Sequence, residues 1–206
     1  MGRGDTSQTR WLRPGLMAGL MVLVLAVFSP AFFADFVRYD DPELLLSNTR
    51  YREFSGESLR WMFTTTLLGH YQPLTWLSYA IDYQVWGLDP RGFHATSVLI
   101  HAVNGVLVYL LFARLLRATK ERIEPRVVEV CAALGAALFA VHPLRAESVA
   151  WVTERRDVLS ACLLLGAALT YLKAVDGGPR DSREDGAVAV SYTHLRAHET
   201  KANLVC

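Results

Sequence analysis

The sequence has few cysteines and little net charge, and each shortage excludes a class of protein. Its three cysteines are odd in number and far apart. Cys131 and Cys162 fall inside apolar runs, where a thiol behaves as a small apolar side chain. This spacing suggests neither a disulfide framework nor a zinc site. A formal net charge of +1 gives no reason to expect a nucleic acid as a partner.

Apolar residues, by contrast, are abundant: they make up 52% of the 206 residues, beside 20% charged residues. The mean hydropathy of +0.22 is high for a soluble protein that carries so much charge. The charges must therefore be separated from the apolar runs along the chain. The length allows one domain, and the pattern predicts an all-α, polytopic membrane protein.

Four uncharged or nearly uncharged stretches predict four transmembrane helices, because about 20 apolar residues cross the ~30 Å hydrocarbon core as a helix. They are residues 14–34, 92–113, about 127–142 and 158–172. A secretory signal is the alternative for the first stretch. That stretch is long for a signal peptide, and Ala31 and Ala34 form a poor cleavage site, so we expect a retained helix.

The basic residues set the expected orientation. Residues 1–13 and the loop 114–126 are basic, so the positive-inside rule places both in the cytoplasm. Residues 35–91 and 143–157 then face the outer, periplasmic side of the cell (inner) membrane. Three arginines contradict this rule and are therefore suspected of a specific function. They are Arg145, Arg155 and Arg156.

Two further patterns predict how the helices are arranged. Small residues recur at every fourth position in the third and fourth spans, which lets membrane helices approach closely. They are Ala132, Ala136 and Ala140, followed by Cys162, Gly166 and Thr170. The alternative is that Ala and Gly are simply common in membrane helices. Helical spacing after Pro73 predicts a helix lying in the membrane interface, with aromatic rings at headgroup depth. Its rings are Trp76, Tyr79, Tyr83 and Trp86, and its polar face is Thr75, Ser78 and Asp82.

The domain boundaries follow from these spans. We expect a cytoplasmic segment at 1–13, a membrane domain at 14–173 and a tail at 174–206. From about residue 188 the tail resembles translated adapter or vector sequence, so we expect it to be non-native. The chain would then be a truncated piece of a longer protein and inactive by itself.

Asp40 and Asp41 come a few residues after the first span, at the expected outer surface. Asp41 precedes Pro42 and Glu43, a pattern that predicts a helix N-cap. Asp40 is left without a structural duty. A carboxylate in that position can serve as a general base for an acceptor hydroxyl. The alternative is an ordinary Asp-rich turn.

A second cluster of charges lies in and next to the loop that joins the third and fourth spans. It consists of His142, Arg145, Glu147, Arg155 and Arg156. Guanidinium forks and an imidazole suit the oxygens of a phosphate. The alternative is that the arginines extend to anionic lipid headgroups.

A polar stripe on the second span is the third candidate. His94, Ser97, His101 and Asn104 share one helical face. We expect them to form hydrogen bonds between helices, and a wet cavity is the alternative. His94 and His101 are two turns apart, too far for an ordinary ligand pair, so no metal is expected there.

Taken together and in this order, the motifs resemble a known family. The chain is similar to the membrane half of bacterial relatives of the transmembrane-and-tetratricopeptide-repeat (TMTC-like) O-mannosyltransferases, which have a GT-C glycosyltransferase fold. The matching stretches are residues 39–43, 72–78, 86–90, 93–96, 101–104, 142–151 and 154–160. The resemblance implies the N-terminal part of that fold, with interfacial helices in the first outer loop.

The resemblance also implies an activity. Such a transferase moves a sugar from a polyprenyl or dolichyl phosphate to a hydroxyl of a protein or glycan acceptor at the outer membrane face. It maps catalysis onto Asp40 and Asp41. It maps donor-phosphate binding onto His142, Glu147, Arg155 and Arg156, and Arg145 stands where many relatives have His. No cofactor is expected and a metal is optional, because phosphate is already an adequate leaving group. The rival hypothesis is a non-catalytic transporter or the membrane anchor of a repeat scaffold.

Overall fold

The computed structural model describes residues 6–119 and 123–177, and in these ranges all regular structure is helical. The all-α prediction is confirmed for this part of the chain. The α-helices are α1 (Thr6–Val27), α2 (Gly56–Thr64), α3 (Pro73–Trp86), α4 (Pro90–Arg117), α5 (Pro125–Ala140), α6 (Arg145–Ala150) and α7 (Arg155–Gly177). The helical assembly belongs to a compact unit, Met1–Ala167, and a second unit begins at Ala168. The predicted non-native tail lies outside the described residues.

Helices α1, α4 and α5 pack against one another through small residues. Ala132, Ala136 and Ala140 are fully buried on one face of α5, as their spacing predicts. On α4, a Cβ added to Gly105 would lie 3.6 Å from Cβ of Ala140 and 3.9 Å from a methyl group of Val24. A methyl group at position 105 would therefore be in ordinary van der Waals contact with both neighbours, so the close approach of the helices depends on the alanines of α5.

Helix α7 differs from this arrangement. In its most apolar stretch, only 6% of the residues are buried, compared with 44% for α4. A Cβ added to Gly166 would meet nothing within 4 Å in the described part of the chain.

Two of the predicted spans have the length and composition needed to cross a membrane. They are Pro90–Arg117 and Val152–Asp176, whereas the apolar part of α1, Trp11–Val27, is shorter. Helix α5 has 16 residues, or about 24 Å at 1.5 Å per residue. Two spans are therefore supported by the structure, and four remains a prediction. The first predicted span also breaks early, since Pro30 lacks an N–H and the chain continues as a 3₁₀ turn, Ser29–Phe33.

A buried carboxylate joins the three packed helices at one end. Glu129 of α5 accepts a hydrogen bond of 2.7 Å from Nε of Arg13 on α1. The same carboxylate also contacts Arg117 and the hydroxyl of Tyr109, both on α4. A desolvated carboxylate needs such partners, so this cluster fixes α1, α4 and α5 relative to one another.

The opposite end of the bundle holds an aromatic core formed mainly by the segment between α1 and α4, together with Phe93 of α4 and Val152. Its buried members are Leu44, Leu45, Tyr51, Met62, Trp76, Tyr79, Ala80, Phe93 and Val152. Helix α3 begins at Pro73, as predicted, and ends at Trp86; the residue that follows, Gly87, has a φ of +63°, a conformation that glycine adopts readily. Helix α2 begins after Ser55, which caps it by accepting from the N–H of Ser58.

The orientation of α3 corrects one prediction. Trp76 and Tyr79 are fully buried instead of lying at headgroup depth, and Asp82 on the polar face is buried as well. Trp86 stays exposed, at 52%, and the other exposed side chains of α3 include Ile81 at 56% and Val85 at 64%. The helix turns its polar face inward because that face has charged partners in the interior.

The Glu129 cluster makes a first prediction. Replacing Glu129 by Ala removes the common acceptor of Arg13, Arg117 and Tyr109, at a cost of about 1.5–3 kcal/mol for hydrogen bonds to a charged group. We expect the Tm of the protein in detergent to fall. Glu124→Ala is the matched control, since Glu124 is exposed and precedes the same helix. Equal Tm values for the two variants would contradict the role given to Glu129.

Candidate functional site

The turn that contains the acidic pair is tied to a segment more than 100 residues further along the chain. Asp41 is fully buried. Its Oδ1 accepts a hydrogen bond of 3.1 Å from the indole N–H of Trp151 and another from the hydroxyl of Thr153. Its Oδ2 accepts from the backbone N–H of Val37 at 2.7 Å. The fold thus brings both predicted motifs together, because Trp151 and Thr153 lie in the second one.

The prediction that Asp41 caps a helix is wrong. Its φ and ψ of −58° and −38° are helical, and its side chain makes no capping hydrogen bond. The residues that follow form a single π-helical turn, Pro42–Leu46. The carboxylate cannot cap because Val37, Trp151 and Thr153 already occupy it.

Asp40 differs from its neighbour. Its side chain is half-buried, and within the described ranges it forms no hydrogen bond or ion pair. Only its backbone carbonyl is used, accepting from the N–H of Leu44 at 2.9 Å. The carboxylate oxygens of Asp40 are therefore open to a ligand, whereas those of Asp41 are not.

Arg155 lies in the interior and is surrounded by partners. Its Nη1 is 2.5 Å from a carboxylate oxygen of Asp82. Its other donors reach the hydroxyl of Ser97 at 3.1 Å, the hydroxyl of Ser78 at 3.3 Å and the carbonyl of Phe93 at 2.7 Å. The guanidinium also lies 4.7 Å from the ring centre of Tyr79. This arginine connects α7 to α3 and α4.

Burial controls the protonation of the groups around Arg155. It raises the pKa of the Asp82 carboxyl, although the Arg155 guanidinium and the Thr96 hydroxyl act in the opposite direction. It also raises the pKa of Tyr79, which stays a neutral phenol at physiological pH. Tyr79 can therefore donate to the carbonyl of Val152, at 2.8 Å.

Arg156, the next residue, has a different environment. Its side chain donates to Glu154 at 2.6 Å and is 27% exposed. It lines a cavity of about 230 Å³ between the start of α3 and the first turns of α7. Gln72 and Ser160 line the same cavity. The structure thus separates the two arginines that the sequence places side by side.

The other predicted phosphate ligands lie elsewhere. His142 is exposed, and its Nδ1 accepts from the N–H of Leu144 at 3.3 Å. Arg145 stacks over the ring of Phe139 at 5.0 Å, and Glu147 is exposed. None of His142, Arg145 and Glu147 lines the cavity of Arg156, so the structure does not gather the predicted set in one place.

The polar stripe on α4 forms hydrogen bonds between helices, as predicted. Nε2 of His101 lies 2.9 Å from the carbonyl of Ala140, and Asn104 donates to the carbonyl of Val158 at 2.8 Å. His94 is also buried and lies near the backbone of Asp35, but neither ring nitrogen has a hydrogen bond of ordinary geometry in the described part. Residues 6–119 and 123–177 contain no group of three or more His, Cys, Asp or Glu placed to hold a metal ion.

Sequence reasoning missed several residues that build this site. Trp151 and Thr153 bind Asp41, Asp82 pairs with Arg155, and Gln72 lines the cavity. One signal was present for Asp82. It is an acid on the aromatic helix α3, and the positive-inside rule disfavours arginines on the same side of the membrane. An acid and arginines in such positions are expected to pair with one another. Nothing in the sequence marked Thr153.

The Arg155–Asp82 pair makes a second prediction. Arg155→Met leaves a buried carboxylate without its cation, and breaking a buried pair costs about 3–5 kcal/mol. We expect a large loss of Tm in detergent. Arg156→Met is the matched control, because a partly exposed pair contributes only about 0–1 kcal/mol.

The double variant Asp82→Leu with Arg155→Met should recover part of the lost stability, since it removes the unpaired charge. If Arg155→Met were no more destabilising than Arg156→Met, the pair would not support the fold as described.

Comparison with known proteins identifies relatives. The chain is 32% identical over 196 residues to human protein O-mannosyl-transferase TMTC4. This alignment covers 87% of this chain and 25% of that protein. It is 33% identical to Drosophila melanogaster Tmtc1, over 75% of this chain and 18% of that protein. It is 31% identical to mouse TMTC1, over 86% of this chain and 19% of that protein.

Other comparisons found nothing. No family model matches the chain, and no solved structure matches it. The chain spans a quarter or less of the length of the curated relatives named above. Over most of its own length, it is homologous to the TMTC protein O-mannosyl-transferases.

Proposed function

We propose that the chain forms part of a membrane glycosyltransferase of the GT-C fold that moves a sugar from a polyprenyl or dolichyl phosphate to an acceptor hydroxyl. The relatives are named O-mannosyl-transferases, which favours mannose and a protein acceptor. The observation that carries the proposal is the contact of Asp41 with Trp151 and Thr153. It holds an open carboxylate, Asp40, beside the segment that carries Arg156.

Asp40 is the proposed general base. The acceptor oxygen attacks the anomeric carbon, and its proton passes to the Asp40 carboxylate. A carbon–oxygen bond forms on one face of the sugar, and the bond to the phosphate oxygen breaks on the other. The lipid phosphate leaves with the electron pair, so the configuration at the anomeric carbon inverts. Asp40 is suited to this role because its carboxylate has free oxygens and is only half-buried.

Asp41 is proposed as a positioning residue. Its three hydrogen bonds use both carboxylate oxygens and connect the acidic turn to Trp151 and Thr153. A carboxylate that is fully buried and already bonded at both oxygens is poorly placed to contact a substrate. Its contribution is to keep Asp40 fixed, since misplacement by about 1 Å can lower a rate by roughly 10²-fold.

The two predicted phosphate-binding arginines take different roles in this proposal. Arg156 lies at a cavity and has donors to spare, so it is the arginine proposed to stabilise the departing phosphate. Arg155 is saturated by its interior partners and holds the segment in place. Thr153 and Arg156 are three residues apart, so their Cα atoms are at most about 11 Å from each other. Donor phosphate and acidic turn would therefore be near neighbours.

A transporter is the rival function, and the polar stripe on α4 bears on it. A transporter would place polar groups around a site near the bilayer midplane. Ser97, His101 and Asn104 are instead engaged with Arg155, Ala140 and Val158. His94 is the exception on this stripe, since its ring nitrogens have no hydrogen bond in the described part of the chain. Asp40 and Arg156, the polar groups proposed to meet the substrate, lie in or next to the two connecting segments, which favours the transferase.

The division of roles in the acidic pair makes a third prediction, measured as transfer from radiolabelled polyprenyl-phosphate mannose by the full-length protein. Asp40→Asn should lower transfer by about 10²–10⁴-fold, the contribution of a general base, with an unchanged Tm. Asp41→Asn should lower both transfer and Tm, because its amide nitrogen replaces one acceptor oxygen and then faces either the donors of Trp151 and Thr153 or the N–H of Val37.

Glu43→Gln is the matched control for this pair, since Glu43 is exposed in the same turn. It should change neither quantity. Normal transfer by Asp40→Asn, combined with an inactive but stable Asp41→Asn, would reverse the two assignments. Normal transfer by both variants would remove the acidic pair from the mechanism.

The orientation makes a fourth prediction, because the proposed reaction needs the acidic turn on the outer face. In a variant without native cysteines, a membrane-impermeant thiol reagent should label Glu53→Cys and spare Thr119→Cys. Both positions are exposed, so access from the solvent is not limited by burial. The reverse labelling pattern would refute the proposed topology.

A further inference from the structure

Tyr39, the residue before Asp40, has an exposed ring that is nevertheless held in place. The side chain is 73% exposed. Its ring centre lies 5.9 Å from that of Trp151, and the ring planes meet at 62°, an edge-to-face arrangement that aromatic pairs favour. The backbone N–H of Tyr39 donates to the carbonyl of Val37 at 2.8 Å. The residue next to the proposed base thus presents a fixed ring to its surroundings.

The indole that supports this ring is fixed as well. Trp151 is only partly exposed, and its N–H donates to Asp41 at 3.1 Å. Tyr39 and Asp41, the two neighbours of Asp40 in the chain, therefore contact the same indole. Asp40 lies between them in the turn. The arrangement gives Tyr39 a defined position relative to the proposed base.

A tyrosine at the membrane surface has an ordinary explanation, because aromatic side chains are enriched at headgroup level. Phe33 fits that explanation: it is 80% exposed at the end of the 3₁₀ turn after α1, and it contacts no other ring among the described residues. An interfacial anchor needs no fixed orientation. Tyr39 differs, because its ring is oriented by the residue that also binds Asp41.

The exposed ring suits a ligand that carries C–H groups beside a hydroxyl. The face of an aromatic ring is partly negative and apolar, so aliphatic C–H groups pack well against it. An ionised carboxylate is an acceptor only, so Asp40 can receive the hydrogen of a hydroxyl. An aromatic ring followed directly by an open carboxylate therefore matches the side chain of a serine or threonine in a peptide.

We propose that Tyr39 binds the acceptor, with its ring packed against the residue that bears the reacting hydroxyl. This inference rests on the proposed function, in which Asp40 takes the proton of that hydroxyl. The donor phosphate lies on the other side, at Arg156. Threonine has a methyl group that serine lacks, so it gains more from the ring. Threonine should be the better acceptor by roughly fourfold, the value of one buried methyl group.

The test measures transfer by the full-length protein with polyprenyl-phosphate mannose as the donor. The acceptors are a library of peptides, each made once with a single threonine and once with serine in its place. Tyr39→Ala should raise the KM for the threonine peptides by about tenfold or more, the value of an aromatic contact. It should also remove the preference for threonine in kcat/KM and leave the KM for the donor unchanged.

Two further variants separate this role from a structural one. Tyr39→Phe keeps the ring, so it should keep both the low KM and the preference for threonine. Phe33→Ala is the matched control, because it removes an equally exposed ring that has no aromatic partner among the described residues. It should change neither KM. The Tm should change little in all three variants, since both side chains are largely exposed.

The outcomes distinguish this inference from the proposed function. An unchanged KM for threonine peptides in Tyr39→Ala overturns the inference, and so does an equal rise in the KM of donor and acceptor. If the wild type transfers mannose to no peptide, the proposed function fails, and binding is measured instead by the fluorescence anisotropy of labelled threonine peptides. Binding that Tyr39→Ala weakens supports the inference in an inactive protein. Absent binding, or binding that is indifferent to Tyr39→Ala, overturns it.

Discussion

The buried guanidinium of Arg155 is the constraint on which the rest of this structure depends. A charge in the interior must be paired and hydrogen-bonded, and Arg155 obtains Asp82 from α3 together with Ser97 and Phe93 from α4. Once these bonds form, the start of α7 cannot move relative to α3 and α4. The segment before it is held too, since Tyr79 donates to the carbonyl of Val152.

This anchoring explains how the candidate site is assembled. The fixed segment presents Trp151 and Thr153 to Asp41 on one side and Arg156 to the cavity on the other. Neighbouring residues thereby differ in their surroundings. Asp41 and Arg155 are buried and bonded to interior partners, whereas Asp40 and Arg156 have side-chain polar atoms that are free for a ligand. In each pair the buried residue gives its more accessible neighbour a defined position, as the proposed catalysis would need.

The same constraint sets the polarity of α3. Its Asp82 must face Arg155, so the helix turns its polar face inward and exposes Ile81 and Val85. In water this arrangement would be unfavourable, but hydrocarbon is a good solvent for aliphatic side chains and a poor one for carboxylates. The exposed aliphatic face is thus consistent with membrane surroundings, which the apolar lengths of α4 and α7 also favour.

The sequence by itself determined the local features: the helical class, the start of α3 at Pro73, the close-packed alanines of α5 and the interhelical bonds of His101 and Asn104. These depend on periodicity and on residues a few positions apart, which a sequence displays directly. Only the tertiary structure decided that Asp41 binds Thr153 instead of capping a helix, that Arg155 is interior and Arg156 at a cavity, and that Tyr39 packs against Trp151. Each of these depends on contacts between segments that are distant in the chain. Two adjacent residues of the same type have the same local sequence signals. Only the tertiary fold decides which of them is buried against a distant segment and which remains accessible.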